Sequence, residues 1–464
     1  MGCMLGAAIG DALGAPFEFK SAGRYSARFP EPVIGGIGEL IGGGGFGWQP
    51  GQFTDDTEMA VAVAESLLAN DGIDIDDQLA RFRAWGASAN DVGNLTRQVL
   101  GNGLPADQAA LAVLAARGAC STAGNGSIMR AAPGAIYFAR KDTQTTMAAG
   151  RTLSAVTHAD PLAQWAVAAQ HEFIRTALSG ADPLDAIPTI LQAMPPEVRA
   201  VYAPLFAVGY QPGGSPGNGS AMGALAQALW ALRNHHSFAG AVTAAIDLGD
   251  DTDSVAAVTG AIAGARAGIG NIPSRWLTYV HGYLTHPDGT LQRYNGLRLQ
   301  RLAHSLLGDS FNHDDDTDEP YRQPAELTPG LWLTNRAGAR TVAADSAVVS
   351  LCRIDDTMRK PIRREVYLID QAGNKNPALV NVIDDALESI ETLLNDGHNV
   401  VLHCFAGKSR TALVATAWLL RQGHSLAQAR AIMAERWPIA HYDNPSFLAE
   451  LTRRDALRQP QEST

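Results

Sequence analysis

Positive charge, cysteine and long apolar runs are all scarce in this chain, and each shortage removes a class of protein. Lys plus Arg number 36 against 47 Asp plus Glu, a net charge of −11. A general nucleic-acid binder needs a cationic face, and so does a protein that docks on an anionic membrane. The four cysteines, Cys3, Cys120, Cys352 and Cys404, are widely spaced and form no CxxC pair. That excludes a zinc knuckle, and at this size and count no disulfide framework is expected. No run of 18 apolar residues exists; the best stretch, Val255 to Gly270, is rich in Ala and Gly and broken by Arg266. The opening MGCMLGAAIGD has no cationic segment and reaches Asp11 at once, unlike a signal peptide. It also lacks the Ser or Thr that a myristoylation signal wants. The expected location is the cytoplasm.

What is present is ample core material. The 464 residues are 46% hydrophobic and 18% charged, too long for one ordinary core. Charge is unevenly spread: from Glu326 to Thr464 there are 16 basic and 16 acidic residues, so the whole −11 lies upstream. Six of the upstream acids fall in GDSFNHDDDTDEPYRQP. This polar, proline-bearing segment reads as an exposed linker over residues 308–325. It lacks the glycine and glutamate positions of a calcium-binding hand.

Upstream of the linker the chain reads as almost wholly helical. EMAVAVAESLLA, DQAALAVLAARG, DPLAQWAVAAQHEFIRTAL, GALAQALWALRN and VAAVTGAIAGARAG carry helical periodicity. GGIGELIGGGGFGWQPGQF and YQPGGSPGNGS read as loops rather than core. Downstream, PGLWLTN, SAVVSLCRI, REVYLID and HNVVLHC are short strand candidates alternating with helical runs. That alternation predicts an α/β fold with a mostly parallel sheet.

Two helices of the first half open on acids. Thr54, Asp55, Asp56 and Thr57 begin one; Asp250, Asp251, Thr252, Asp253 and Ser254 begin the other. Each alone reads as N-capping. Together they hold more carboxylates than caps require, at the mouths of helices that must be buried. In the second, Gly260, Gly264 and Gly268 recur every four residues, a smooth face for close packing. Clustered buried acids repel unless neutralised, and oxygen-only donors suit a hard cation, Mg²⁺ first with Mn²⁺ as an alternative.

Six ordered motifs, GAAIGDALGAPFEF, TDDT, DVGNLTR, GNGSIMRAAPGA, THAD and GDDTDSVAAVTGAIAGA, resemble the ADP-ribosylglycohydrolases. That group includes dinitrogenase reductase-activating glycohydrolase. The resemblance implies an all-α fold over residues 1–307 with two Mg²⁺ ions at its centre. It assigns metal ligation to Thr54, Asp55, Asp56, Asp251, Asp253 and Ser254, the last standing where the family usually has Thr. It places Glu18 near the scissile bond, and Asp91, Asn125, Gly126, Ser127, Met129 and His158 around ADP-ribose. The small residues of GNGS would let backbone N–H groups approach a diphosphate.

VVLHCFAGKSRTALVATAWLL is the sharpest local signal. An apolar strand reaches His403 and Cys404; Phe405, Ala406, Gly407, Lys408 and Ser409 follow, then Arg410 and a long apolar helix. A tight loop at a helix N-terminus points N–H groups at an anion and favours a thiolate nucleophile. Arg410 supplies a planar fork for phosphoryl oxygens. Thr411 or Ser409 is placed to hydrogen-bond the sulfur, and His403 to fix the loop. The pattern HCxxGxSR[ST] resembles the cysteine-dependent tyrosine and dual-specificity phosphatases over about residues 326–455. By that resemblance the general acid is Asp370, 34 positions before Cys404, with Asp355 and Asp356 as rivals.

The sequence therefore reads as a multidomain, bifunctional hydrolase. An all-α glycohydrolase domain is followed by a smaller α/β cysteine-phosphatase domain over 326–464. Expected partners are an ADP-ribosylated protein or small molecule and a phosphorylated one, with no membrane; the acidic surface argues against nucleic acid. Two alternatives stay open: an ADP-ribose sensor that regulates or targets the phosphatase, and a glycohydrolase for another linkage (serine, O-acetyl-ADP-ribose or nucleic acid) rather than arginine.

Overall fold

The computed structural model of the chain describes residues 1–119, 121–309, 319–354 and 358–458. Cys120, Asp355 and Asp356, and the part of the expected linker from 310 to 318, lie outside the described residues. The chain divides into two compact units. The first holds Met1–Pro32, Glu39–Ile272 and the described residues from Tyr279 to 309. The second holds Val33–Gly38, Pro273–Thr278 and the described residues from 319 onward. Among the described residues no helix is long and apolar enough to cross a membrane.

The first unit is built on two helices, α1 (Gly2–Gly14) and its partner Thr252–Ala267. Every residue of α1 is buried. A Cβ added to Gly2, Gly6 or Gly10 would collide with a carbonyl oxygen of the partner helix, at Gly264, Gly260 and Ala256. Glycine thus lets the two backbones touch along their length, which multiplies dispersion contacts. Gly268 joins this face only through its backbone, its carbonyl carbon lying 3.0 Å from where a Cβ on Gly2 would stand. It sits at φ 74°, with open space where its own Cβ would be, and is the residue where the helix stops. Around this pair run α2 (Asp55–Ala69) and α5 (Pro161–Leu178), with Ala221–Asn234 and Phe238–Ile246 also on Thr252–Ala267, while α3 (Asn94–Gly101) and α4 (Ala106–Arg117) pack on each other. We call the central partner α6.

One sequence expectation needs correction here. The glycine-rich stretch after residue 35 is irregular, as read, but it is not outside the core. Leu40, Trp48 and Phe53 are buried and pin it down. The unit is almost wholly helical, as read, and carries one antiparallel hairpin of β1 (His281–Thr285) and β2 (Leu291–Asn295). Asp288 accepts the Thr290 N–H at 2.9 Å in its turn.

The second unit carries a five-stranded sheet: β3 (Ala325–Thr328), β4 (Leu331–Asn335), β5 (Ala347–Ser350), β6 (Arg363–Glu365) and β7 (Val400–Cys404), in order β3-β4-β7-β5-β6. Only β3 and β4 pair antiparallel; the rest are parallel. β5 and β7 are buried throughout, which is why they read as apolar runs rather than alternating ones. The segment REVYLID pairs only as far as Glu365, and β3 was not foreseen. Helix α7 (Leu379–Asn395) turns Val382, Ile383, Ala386, Leu387, Ile390 and Leu393 into the core, a helical stripe. Helices α8 (Ser409–Arg421), α9 (Leu426–Arg436) and α10 (Pro445–Arg458) complete the unit. A capping box of Ser425 and Gln428 starts α9.

The pieces 33–38 and 273–278 are bonded into this unit. The fully buried Arg364 donates to the carbonyl oxygens of Ile34 and Gly36. The Asp385 carboxylate accepts the Ser274 N–H at 3.2 Å. Before β3, the carbonyls of Pro320 and Arg322 accept from Asn335 and Thr334.

Candidate active sites

The first unit contains a cleft of about 530 Å³. Glu18, Asp55, Asp56, Asp91, Asn125, Gly126, Met129, His158, Asp251, Asp253 and Ser254 line it. Of the residues expected there, only Thr54 and Ser127 are off the lining. The Thr54 hydroxyl accepts the Asp56 N–H at 3.4 Å as the N-cap of α2. Ser127 lies behind the cleft and accepts from Ser154 at 2.9 Å.

Local hydrogen bonds separate capping from other work. Asp251 holds the N-cap position of α6 yet caps nothing with its side chain. Its carboxylate instead accepts from Asn125 Nδ2 at 2.9 Å, and Asn125 donates also to the Asn218 carbonyl. Ser254 donates to Asp56 Oδ1 at 3.3 Å, tying the two acidic helix starts together.

The acid set fits a cation. Glu18, Asp251 and Asp253 each bring one carboxylate oxygen to within 4.8 Å of the others. Glu18 Oε2 and Asp56 Oδ2 are buried with no hydrogen-bond partner among the described residues. Burial first, then mutual repulsion, holds Asp55, Asp56 and Asp253 well above the usual carboxylate range and pushes Glu18 up to about 8. Orphaned buried oxygens and repelling carboxylates are what a hard divalent cation would relieve.

His158 is buried behind Gly124 and Gly126, where a Cβ on Gly126 would stand 3.0 Å from the ring. Arg130 donates to Thr157 Oγ1 at 2.6 Å, and Thr157 Oγ1 lies 2.8 Å from His158 Nδ1. Thr157 thus links the Arg130 guanidinium to the His158 ring and fixes the ring's orientation. Burial, then Arg130, holds His158 down to about 3, so it stays neutral at working pH.

Sequence reasoning missed two residues behind this cleft. Asp11 accepts the N–H groups of Thr54 and Thr57 and the Thr57 hydroxyl, at 2.5 to 3.1 Å, and so holds the acidic end of α2. A lone charge in the fully apolar stretch AAIGDALGA was the available signal. Arg130 also donates to the Gly126 carbonyl at 2.7 Å and stacks on Phe82 at 4.5 Å. It braces the GNGS turn from inside.

The second unit has a cleft of about 490 Å³ at the C-terminal end of β7, where parallel sheets commonly bind ligands. Cys404, Phe405, Ala406, Lys408, Ser409 and Arg410 line it, joined by Asp370, His441 and Asn444. Gly407 is off the lining but fixes the loop. Its φ is 73°, and its carbonyl accepts from Trp437 Nε1 at 2.6 Å. Behind the loop, His403 Nε2 meets Ser350 Oγ at 2.8 Å. Burial pushes His403 down to about 4, so it is a neutral brace rather than a base.

Asp370 faces the loop. Its Oδ1 accepts from Ser409 at 2.8 Å and from Asn444 at 3.3 Å. Asn376 clamps the preceding backbone by bonding both the N–H and the carbonyl of Ile369. Of the two hydroxyls considered for the sulfur, Ser409 is thus turned to Asp370. Thr411 Oγ1 is buried with no hydrogen-bond partner among the described residues. Arg410 donates to the carbonyls of Leu351 and Leu368 from the base of the cleft.

Both clefts belong to hydrolases, and the comparisons with known proteins separate the two kinds. Residues 1–316 match the family model of the ADP-ribosylglycohydrolases, and residues 348–454 that of the dual specificity phosphatase catalytic domain. The chain belongs to the ADP-ribosylglycohydrolase family, a family generally dependent on divalent metals, and carries a dual specificity phosphatase domain after it. It is 33% identical over 295 residues to the ADP-ribosylarginine hydrolase Tri1 of Serratia proteamaculans (strain 568), covering 60% of this chain and 73% of that protein. It is 28% identical over 146 residues to dual specificity phosphatase 28 of Mus musculus, covering 30% of this chain and 86% of that one. A solved structure described as an ADP-ribosylglycohydrolase-related protein complex matches with a TM-score of 0.53 at 32% identity, over 66% of this chain and 96% of that one.

Proposed function

We propose that the first unit removes ADP-ribose from arginine side chains with the help of two Mg²⁺ ions, and that the second hydrolyses phosphate esters through a cysteinyl-phosphate. The observation that carries the first reading is the meeting of Glu18, Asp251 and Asp253 beside the orphaned Asp56 oxygen. The likeness to an ADP-ribosylarginine hydrolase supports the acceptor. Asp55, Asp56, Asp251, Asp253, Thr54 and Ser254 would hold the metal. When bound, it supplies positive charge to orient the ribose hydroxyls and offset charge as the glycosidic bond breaks. Glu18 accepts the proton of the attacking water, whose oxygen bonds to C1″ as the bond from C1″ to the guanidine nitrogen breaks; the nitrogen keeps the bonding pair and takes the proton from Glu18, leaving as guanidinium. His158 presents a fixed, neutral ring to the substrate.

In the second unit the Cys404 thiolate attacks phosphorus and the ester oxygen leaves with a proton from Asp370. Water then attacks the phosphorus, Asp370 takes its proton, and phosphate departs from the sulfur. Loop N–H groups and Arg410 hold the phosphoryl oxygens in both steps. Ser409 and Asn444 keep Asp370 over the loop.

The test is ADP-ribose release from an arginine-ADP-ribosylated protein, with and without Mg²⁺, for the native chain and Asp55→Ala. Release that needs both the metal and Asp55 is expected. Tight ADP-ribose binding without release would overturn the reading in favour of a sensor or another linkage.

A further inference from the structure

Phe19 follows Glu18 and carries two anomalies that hydrolysis does not explain. Its ring is 72% exposed, and its backbone sits at φ 60°, a conformation bulky residues rarely adopt. The cause is visible. The Phe19 N–H donates to the Asp250 carbonyl at 2.7 Å, and the Asp250 N–H returns to the Lys20 carbonyl at 2.9 Å. Asp250 is itself at φ 57°. This two-way bridge ties Glu18 to the turn that carries Asp251. It also leaves the Phe19 ring on the lining of the cleft instead of in the core.

A second ring joins it. Phe46, 38% exposed, lines the same cleft from the tip of a turn closed by reciprocal bonds between Gly43 and Trp48. That turn is seated close to the Glu18 loop, since a Cβ on Gly44 would collide with the Ala15 carbonyl. Two exposed rings thus stand on neighbouring loops at an acid-lined cleft.

The cleft also has a basic wall. Arg97 of α3 and Arg117 at the end of α4 line it, on two helices that pack together. A diphosphate is repelled by the carboxylates and matched by these arginines. A flat cation is matched by the opposite set, carboxylates and aromatic faces.

Resting on the arginine reading above, we infer that Phe19 and Phe46 form the acceptor subsite, gripping the guanidinium that leaves from C1″. They are specificity-determining residues, and their rings discriminate arginine from uncharged acceptors.

The experiment uses the full chain with Mg²⁺ and compares Phe19→Ala, Phe46→Ala and Phe19→Tyr. Three quantities are read: KM and kcat on an arginine-ADP-ribosylated peptide, the same on a serine-ADP-ribosylated peptide, and the Kd of free ADP-ribose. Each alanine variant is expected to raise KM for the arginine substrate roughly 3- to 30-fold. ADP-ribose affinity should stay within about twofold, and Phe19→Tyr should recover most of the loss. A parallel fall in ADP-ribose affinity would overturn the inference and assign the rings to adenine. An unchanged KM, or an equal loss on the serine substrate, would overturn it as well. Should Phe19→Ala melt early, Phe46→Ala on its separate loop decides alone. Failure of the native chain to release arginine-linked ADP-ribose is a different result. It would sink the parent reading before any variant is compared.

Discussion

The two clefts are built in opposite ways. The phosphate loop is one uninterrupted stretch, Cys404 to Arg410, closed by a single strand-to-helix turn. The acidic cleft draws Glu18, Asp55, Asp91, Asn125, His158 and Asp251 from far-separated segments. A contiguous site needs only its own turn and a few braces. A dispersed site needs the whole helical core to be in register, because its residues ride on several different elements. Repulsion among its carboxylates also works against assembly.

A large effect that would break this contrast lies at the acid facing the loop. Asp370→Asn should cut phosphate release by about 10²- to 10⁴-fold, with the steepest loss on esters of poor leaving groups. Steady-state rates on a series of aryl phosphates would show it. An even loss across the series would move the proton donor elsewhere, Asp355 and Asp356 being the next to mutate.

A smaller effect probes the core beneath the dispersed site. Gly6→Ala drives a methyl into the Gly260 carbonyl, backbone against backbone. A destabilisation of about 1–3 kcal/mol is expected, with ADP-ribose release falling further than phosphate release. Urea titration followed by both assays checks it. A neutral outcome would mean the α1 and α6 backbones can part without cost.

The smallest effect concerns pH. His403 is held down to about 4, against about 6.5 unfolded. Between those values the folded state binds fewer protons than the unfolded chain. Its stability contribution is therefore intact above about pH 6.5 and is lost as pH falls toward 4. From pH 7 to pH 6 this amounts to a little under about 1 kcal/mol, read from the shift in urea midpoint. His403→Gln should flatten that slope.

The same contrast explains what could be read from the sequence. The phosphate loop was legible to the residue, since HCFAGKSRT lies in one line and its chemistry follows from a turn. The parallel sheet was legible too, because β5 and β7 are buried on both faces and read as apolar runs. The acidic cleft was legible only where acids cluster locally, at 54–57 and 250–254, and through the resemblance of ordered motifs. Asp11 and Arg130 were not. Each is a single polar residue whose partners lie tens of positions away, so no local pattern marks them. The hairpin of β1 and β2 was overlooked although Pro287, Asp288 and Gly289 announce a turn. Ser409 was offered to the sulfur because spacing cannot show that Asp370 reaches it first. The left-handed Phe19 depends on Asp250, 231 positions on, and leaves no trace in the local sequence.

The central claim is that one chain holds two chemically independent hydrolytic sites, one needing a metal and the other a thiolate. The most direct measurement assays both activities on the full chain, untreated, after chelation with EDTA and Mg²⁺ restoration, and as Cys404→Ser. A double dissociation is expected. Chelation abolishes ADP-ribose release, Mg²⁺ restores it, and phosphate release stays within about twofold. Cys404→Ser does the reverse, cutting phosphate release by roughly 10⁴-fold or more. Phosphate release that survives Cys404→Ser, or ADP-ribose release that survives chelation, would contradict it.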